Sequence, residues 1–442
     1  MRRGVHLLGW RLGVPGAGRR YAVADDRWRM LRGRLPRYGA TSSVTSCGER
    51  VLALVDGTAS DEERRRLGLP TRSELRREVD EQNRRLATFR WSRPGLPDEL
   101  DLVRVWRPVP AAELERRWAA EGSPVWRDGD DLTFAHRAHA EEVHLVPGIQ
   151  LPLWRVEGDL WAATVRIRDL ARAAVTYGFV VTEAGASPLH RSSPRLEVWR
   201  GPDAPPPPPR AEPLRGELRR VHLDSPALRT RRELTVYLPP GLGPGAPALY
   251  LADGQSAPGF AAVLEPAILA GAVPRFALVG VHAAPSTLKD DARGREYLPH
   301  PDPRRFEAHR RFFMEEVPAW AERELAVARD RGRLAVAGYS NGAVLASALG
   351  CRNPDRVGAV IAFSLGLPPP LHPGRRPARH YLLAGMLEPG FRRATSRWAE
   401  RLRAAGVEVE ERVRVCGHDP LMWQEELPAA VRWAFGRGTP EV

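Results

Sequence analysis

The pentapeptide Gly338-Tyr339-Ser340-Asn341-Gly342 stands between an apolar strand and an apolar helix, and nothing else in the 442 residues limits the fold as tightly. The strand is Leu334-Ala335-Val336-Ala337. The helix is predicted from about Asn341 to Cys351 and stops before Pro354. Passing from strand to helix so abruptly needs a turn whose flanking positions hold little more than hydrogen, which Gly338 and Gly342 supply. Such a turn lifts the Ser340 hydroxyl clear of the sheet and sets the positive end of the following helix beneath it. The five residues alone arise by chance in chains rich in Gly and Ser. The strand before them and the helix after them give the pattern its weight.

Residues 216 to 437 extend this strand–helix alternation. They open with β signals at 218 to 223 and 232 to 238, closed by Pro239-Pro240-Gly241. Further strands are predicted at 248 to 252, 276 to 281, 334 to 337, 359 to 363, 381 to 384 and 409 to 415, with helical patterns at 304 to 325 and 394 to 405. Continuous apolar strands alternating with helices imply a parallel sheet covered on both faces. A hairpin feeding a mostly parallel central sheet, with a G-x-S-x-G elbow inside it, predicts an α/β-hydrolase fold.

The preceding chain is organised differently. Five consecutive prolines, Pro205 to Pro209, favour a stiff polyproline II spacer that cannot join a sheet ladder, so residues 201 to 215 read as a linker. Short alternating stretches at 132 to 134, 143 to 146, 160 to 167 and 175 to 181 predict a small β-sandwich over residues 126 to 200, of immunoglobulin-like (E-set) type. Residues 1 to 125 form a poorly defined, partly helical region. Its helix is predicted from the capping box Thr71-Arg72-Ser73-Glu74 to about Leu86.

Composition narrows the function classes. The length fits two or three domains, and 43% apolar residues suffice for a large core. No run of about 18 apolar residues predicts a membrane span, and no apolar signal-peptide core follows Met1-Arg2-Arg3-Gly4. Cys47, Cys351 and Cys416 form neither a disulfide framework nor a metal motif, which fits a reducing, cytoplasmic setting. The net charge of +13 comes almost wholly from arginine, with Lys289 the only lysine, and is spread through every segment. It forms no basic block with interleaved aromatics, so nucleic acid is not an expected partner. Its expected effect is long-range attraction of acidic substrates.

Acyl transfer by a serine needs a base within hydrogen-bond reach and an acid that orients the base. In this fold the chain order is Ser, acid, His. His372 lies in a Pro-rich loop too early for that order, and His380 leads into a strand. His418, in the turn Cys416-Gly417-His418-Asp419 after the last strand, stands where ligands gather in parallel sheets. Between residues 366 and 406 the available acids are Glu388 and Glu400. Glu400 belongs to a helix, whereas Glu388 falls in the loop Gly385-Met386-Leu387-Glu388-Pro389. The predicted triad is therefore Ser340, Glu388 and His418. The oxyanion hole is expected from the Asn341 amide and from the loop Asp253-Gly254-Gln255, where Gly254 allows close backbone approach and Gln255 or Ser256 carries the second amide. No metal and no cofactor are expected.

The chain also resembles the enterochelin-esterase branch of the esterase D family. The resemblance rests on Tyr237-Leu238-Pro239-Pro240-Gly241, Leu251-Ala252-Asp253-Gly254-Gln255, Arg295-Glu296-Tyr297-Leu298, the elbow, the loop 385 to 389 and Gly417-His418-Asp419, in that order. It spans roughly residues 216 to 436. It implies hydrolysis of ester bonds in catecholate siderophores, a small-molecule and anionic substrate, and an N-terminal β-sandwich before the hydrolase domain. It further implies substrate contacts from Arg295, Tyr339 and Asp253. The sequence departs from the family elbow at Ala343, where a further glycine is usual, and residues 1 to 125 have no counterpart in it. Two other readings stay open. One is an esterase acting on polysaccharide or feruloyl esters, in which Trp154 and Trp161 would line a carbohydrate-binding surface, although both read first as core residues of the sandwich. The other is a hydrolase-fold binding protein without turnover.

Overall fold

The computed structural model describes residues 40–46, 49–55, 59–66, 69–90, 102–105, 109–149, 151–183, 194–286, 291–299, 302–371 and 376–436. The predicted features at Cys47, Lys289 and His372 lie outside them. Contacts divide the chain into two units, Met1–Ala204 and Pro205–Val442.

In the first unit, strands β1 (Ala40–Ser46) and β2 (Glu49–Val55) form an antiparallel hairpin. Helix α1 (Asp61–Arg66) precedes α2 (Arg72–Arg90), whose start is the predicted capping box. The Thr71 N–H donates to Glu74 Oε2 at 2.8 Å, and the Glu74 N–H donates to Thr71 Oγ1 at 3.3 Å. Strand β3 (Leu102–Val105) and helix α3 (Ala111–Glu121) follow. Two antiparallel sheets come next. One is built from β3, β4 (Val125–Asp128), β5 (Asp131–Arg137), β8 (Trp154–Glu157) and β9 (Leu160–Ile167). The other contains β6 (Glu142–Pro147), β7 (Leu151–Pro152), β10 (Ala174–Thr182) and β11 (Glu197–Arg200). Phe134 of β5 meets Tyr177 of β10 with ring centroids 5.7 Å apart, so side chains of the two sheets touch.

One observation differs from the sequence-based expectations for this unit, and a second bears on the carbohydrate-binding alternative. Strand β3 pairs with β9 (Leu102↔Ile167), so the sheet draws on residues upstream of 126. Four residues are too short a run for their alternation to be recognised. Trp161 is buried and its indole N–H donates to the Ala138 carbonyl at 3.0 Å, so it belongs to the core and cannot line a carbohydrate surface.

The second unit has the α/β-hydrolase fold. Its eight strands are β12 (Glu217–Ser225), β13 (Thr230–Leu238), β14 (Ala248–Ala252), β15 (Ala277–Val281), β16 (Leu334–Tyr339), β17 (Ala359–Phe363), β18 (Arg379–Gly385) and β19 (Val409–Arg414). They lie in the order β12-β13-β15-β14-β16-β17-β18-β19, antiparallel at β12/β13 and β13/β15 and parallel elsewhere. Every residue of β14, β15 and β17 is buried, as strands covered on both faces require. Helices α4 (Ala257–Leu269), α5 (Ala292–Tyr297), α6 (Pro303–Arg311), α7 (Val317–Glu324), α8 (Asn341–Arg352), α9 (Pro389–Ala404) and α10 (Pro420–Phe435) supply the cover. Among the described residues no helix is long and apolar enough to cross a membrane.

The single helix predicted at 304 to 325 is split by a wider π turn at Phe312–Glu316. Pro318 has no N–H to offer the carbonyl of Met314 four residues earlier. That oxygen instead accepts from the Arg356 guanidinium at 2.6 Å.

The strand order also places the site. From β14 the chain crosses to β15 on one side, and from β16 to β17 on the other. Connections leaving two neighbouring strands in opposite directions open a crevice at their carboxyl ends. That crevice lies where the Asp253 loop follows β14 and Ser340 follows β16.

Candidate active site

Ser340 takes φ 56° and ψ −124°, a backbone conformation that side chains rarely adopt. The turn is as tight as the glycines predict: a Cβ on Gly338 would fall 2.2 Å from the Gly342 carbonyl oxygen. The Ser340 N–H donates to the Phe363 carbonyl at 2.9 Å, which ties the turn to β17. The serine is half-buried and heads α8, so the amides of that helix open beneath it.

Glu388 and His418, 30 residues apart, lie in the loops after β18 and β19 and bond directly. His418 Nδ1 is 2.6 Å from Glu388 Oε2. An ionised carboxylate only accepts, so Nδ1 carries the proton and Nε2 remains the basic nitrogen. The Glu388 side chain is 2% exposed. Its other oxygen, Oε1, accepts from the Gly385 N–H at 2.7 Å and from the Ser364 hydroxyl at 2.7 Å. Trp423 of α10 links this group to the elbow. Its ring stacks on Tyr339 at 4.2 Å, stands edge-on to His418 at 5.0 Å, and donates its N–H to Ser364 Oγ at 2.8 Å. Phe391 stacks on the His418 ring at 4.0 Å.

The loop after β14 reaches the elbow from the other side. Asp253, Ser340 and Ser364 each follow a strand, on the neighbouring strands β14, β16 and β17, and each has φ between 55° and 59°. A Cβ on Gly254 would lie 2.2 Å from the Gly280 carbonyl carbon of β15, so only glycine fits. Gln255 is exposed, and Asn341 half-buried. The Tyr339 hydroxyl is 2.6 Å from that of Ser256. Burial, with the negative charge of Asp253 added, pushes the Tyr339 phenol up to about 12, so it acts as a neutral hydrogen-bonding group.

The Asp253 carboxylate faces inward, where both oxygens accept from the Arg293 guanidinium at 2.6 Å. Its backbone N–H donates to the Tyr297 hydroxyl at 2.9 Å. This bidentate pair anchors the loop. Arg295 is half-buried on α5, the short helix that also presents Arg293. Arg293, Ser364 and Trp423 were not singled out from sequence. Ser364 had one legible signal, its place directly after a buried strand at the carboxyl edge. Arg293 had none, being one of very many arginines and 40 residues from its partner.

A carboxylate-oriented imidazole, linked through Trp423 and Tyr339 to a serine on a strained turn that heads a helix, is the equipment of nucleophilic acyl transfer. Residues 225–377 match the family model described as putative esterase. The chain resembles the enterochelin-esterase-like esterases. The enterobactin esterase Fes from Shigella flexneri, solved in the presence of enterobactin, is 19% identical with a TM-score of 0.56, and the match covers 73% of this chain and 98% of that one. Ferric enterobactin esterase from Salmonella typhimurium is likewise 19% identical, with a TM-score of 0.57 over 73% of this chain and 98% of its own. These likenesses concern the fold. No curated protein matches the chain in sequence.

Proposed function

We propose that the protein is a serine carboxylic-ester hydrolase working through an acyl-enzyme. The observation that carries this reading is the 2.6 Å bond between His418 Nδ1 and Glu388 Oε2, in a group that Trp423 links to the strained Ser340 elbow through its stacking on Tyr339. Ser340 Oγ attacks the ester carbonyl while its proton passes to His418 Nε2. The tetrahedral oxyanion is met by the Asn341 amide and by an amide of the Gly254–Gln255 loop. Collapse expels the alcohol, which takes the proton from His418, and leaves Ser340 acylated. Water then attacks the acyl carbonyl, giving its proton to His418; collapse breaks the bond to Ser340 Oγ, which takes that proton back, and the acid leaves. Glu388 keeps the imidazole in the required tautomer throughout.

The substrate we propose is an ester of an aromatic, anionic acid of the catecholate-siderophore kind. Support comes from the likeness to the enterobactin esterases, from the aromatic side chains Phe391 and Trp423 against the base, with Tyr339 stacked on Trp423, and from the net charge of +13. We read the two sheets of the first unit as the β-sandwich module that precedes the hydrolase domain. The aligned 73% of the chain, which exceeds the second unit alone, supports that reading.

Ser340→Ala should lower kcat on p-nitrophenyl butyrate by about 10⁴-fold or more while the melting curve stays unchanged. Undiminished turnover would remove Ser340 from the reaction. A comparison of ferric and iron-free triscatecholate esters with simple acyl esters tests the substrate class. A kcat/KM no higher for the catecholates would withdraw it.

A further inference from the structure

We propose that Ser364 is a positioning residue for the reaction, acting through Glu388; the proposal rests on the triad reading above. The direction of each hydrogen bond around it follows from chemistry alone. The Trp423 indole N–H can only donate, so Ser364 Oγ accepts it at 2.8 Å. The single hydroxyl proton of Ser364 is then committed to Glu388 Oε1, 2.7 Å away. Together with the Gly385 N–H, this holds Oε1 and turns Oε2 toward His418. A carboxylate held at one oxygen only by a backbone amide can swing about its terminal torsion, which is soft for glutamate. The hydroxyl closes that freedom.

The setting argues against a merely structural serine. Ser364 is fully buried and sits at φ 55°, a conformation that glycine adopts without strain. Relative to glycine, the serine at this position adds strain and one proton, and the proton goes to the group that orients the base. Trp423 completes the device. The ring that fixes the Ser364 hydroxyl also packs face-on against Tyr339, the residue before the nucleophile, and edge-on against His418. One indole thus references acid, base and elbow to each other.

The test uses the full chain and p-nitrophenyl butyrate, with Ser364→Gly, Trp423→Phe, Glu388→Ala and the double variant Ser364→Gly/Glu388→Ala. Ser364→Gly should lower kcat about 10- to 100-fold with KM nearly unchanged. It should also still unfold in one cooperative transition, the relief of the positive φ offsetting part of the lost hydrogen bonds, and lose the low-field proton signal of His418 Nδ1–H. Trp423→Phe, which keeps the ring but removes the donor, should lower kcat by a smaller factor in the same direction. Glu388→Ala should lower kcat further, and adding Ser364→Gly to it should change nothing more. Full kcat in Ser364→Gly, or a further loss in the double variant, overturns the role of Ser364 while leaving the triad standing. A Ser364→Gly chain that does not fold overturns it as well, by making the serine structural. Full kcat in Glu388→Ala overturns the triad reading itself.

Discussion

Single residues in this protein separate into those whose chemistry announced them and those known only through their partners. His380 is a clear case of the second kind. It is fully buried in β18, donates from Nδ1 to the Ala378 carbonyl at 2.8 Å, and meets Trp398 edge-to-face at 5.9 Å. Burial holds its imidazole down to about 4. The unfolded chain takes up this proton near pH 6.5 and the folded chain does not, so stability is full above that pH and falls as pH drops toward about 4. The loss for one such residue is about 3 kcal/mol at most. Urea unfolding at pH 7, 5.5 and 4.5 should show that decline, and His380→Leu should flatten part of it. His309, held at about 3 by burial and by the charges of Arg232 and Arg305, supplies slope in the same sense. A variant slope equal to that of the parent would disprove the assignment to His380. The candidates Ser340, Glu388 and His418 stand out in the sequence because serine, acid and histidine in order after successive strands have few alternatives, and the structure bonds the latter two to each other. Ser364 and Arg293 do not stand out, since a hydroxyl or guanidinium acquires meaning only from a partner that the fold brings near.

At the scale of elements, the hydrolase strands were readable from their continuous apolar runs, and β14 and β17 begin and end as their residues predict. The edges of the π turn were not readable. The helical pattern survives there while one proline displaces a hydrogen bond. The loop after β14 shows how element packing reaches the chemistry. Gly254 lies against the Gly280 backbone of β15, and a methyl group there would meet the carbonyl carbon at 2.2 Å. Backbone cannot yield as a flexible side chain can, so Gly254→Ala must push the loop toward the crevice. We expect kcat to fall about 10²-fold, as for loss of one oxyanion donor, with fluorophosphonate labelling of Ser340 slowed in parallel. Labelling at the parental rate would show that this loop supplies no donor.

At the scale of the whole molecule, the chain around the proline tract is bonded separately on its two sides. The Gly201 and Asp203 N–H groups donate to Ala173 and Ala171, whereas Ala211 donates to Ala262, and Arg215 and Gly216 to Glu265. The second unit has its own continuous core, from Val236 and Tyr250 to Trp320, Val344 and Trp398. Residues 205 to 442 expressed alone should therefore melt in one cooperative transition and hydrolyse p-nitrophenyl acetate within about threefold of the intact chain. An unfolded product would show that the boundary in contacts is no boundary in folding. The row of left-handed residues that ends β14, β16 and β17 has a wider consequence. Glycine would relieve the backbone at all three, but at Asp253 it would strip Arg293 of its partner and at Ser364 it would strip the Trp423 N–H of its acceptor. Only at Ser340, among the described residues, is no such partner lost. A lineage of this protein selected only for endurance of heat would thus be drawn toward glycine at the elbow, and would grow sturdier and fall silent at that one position.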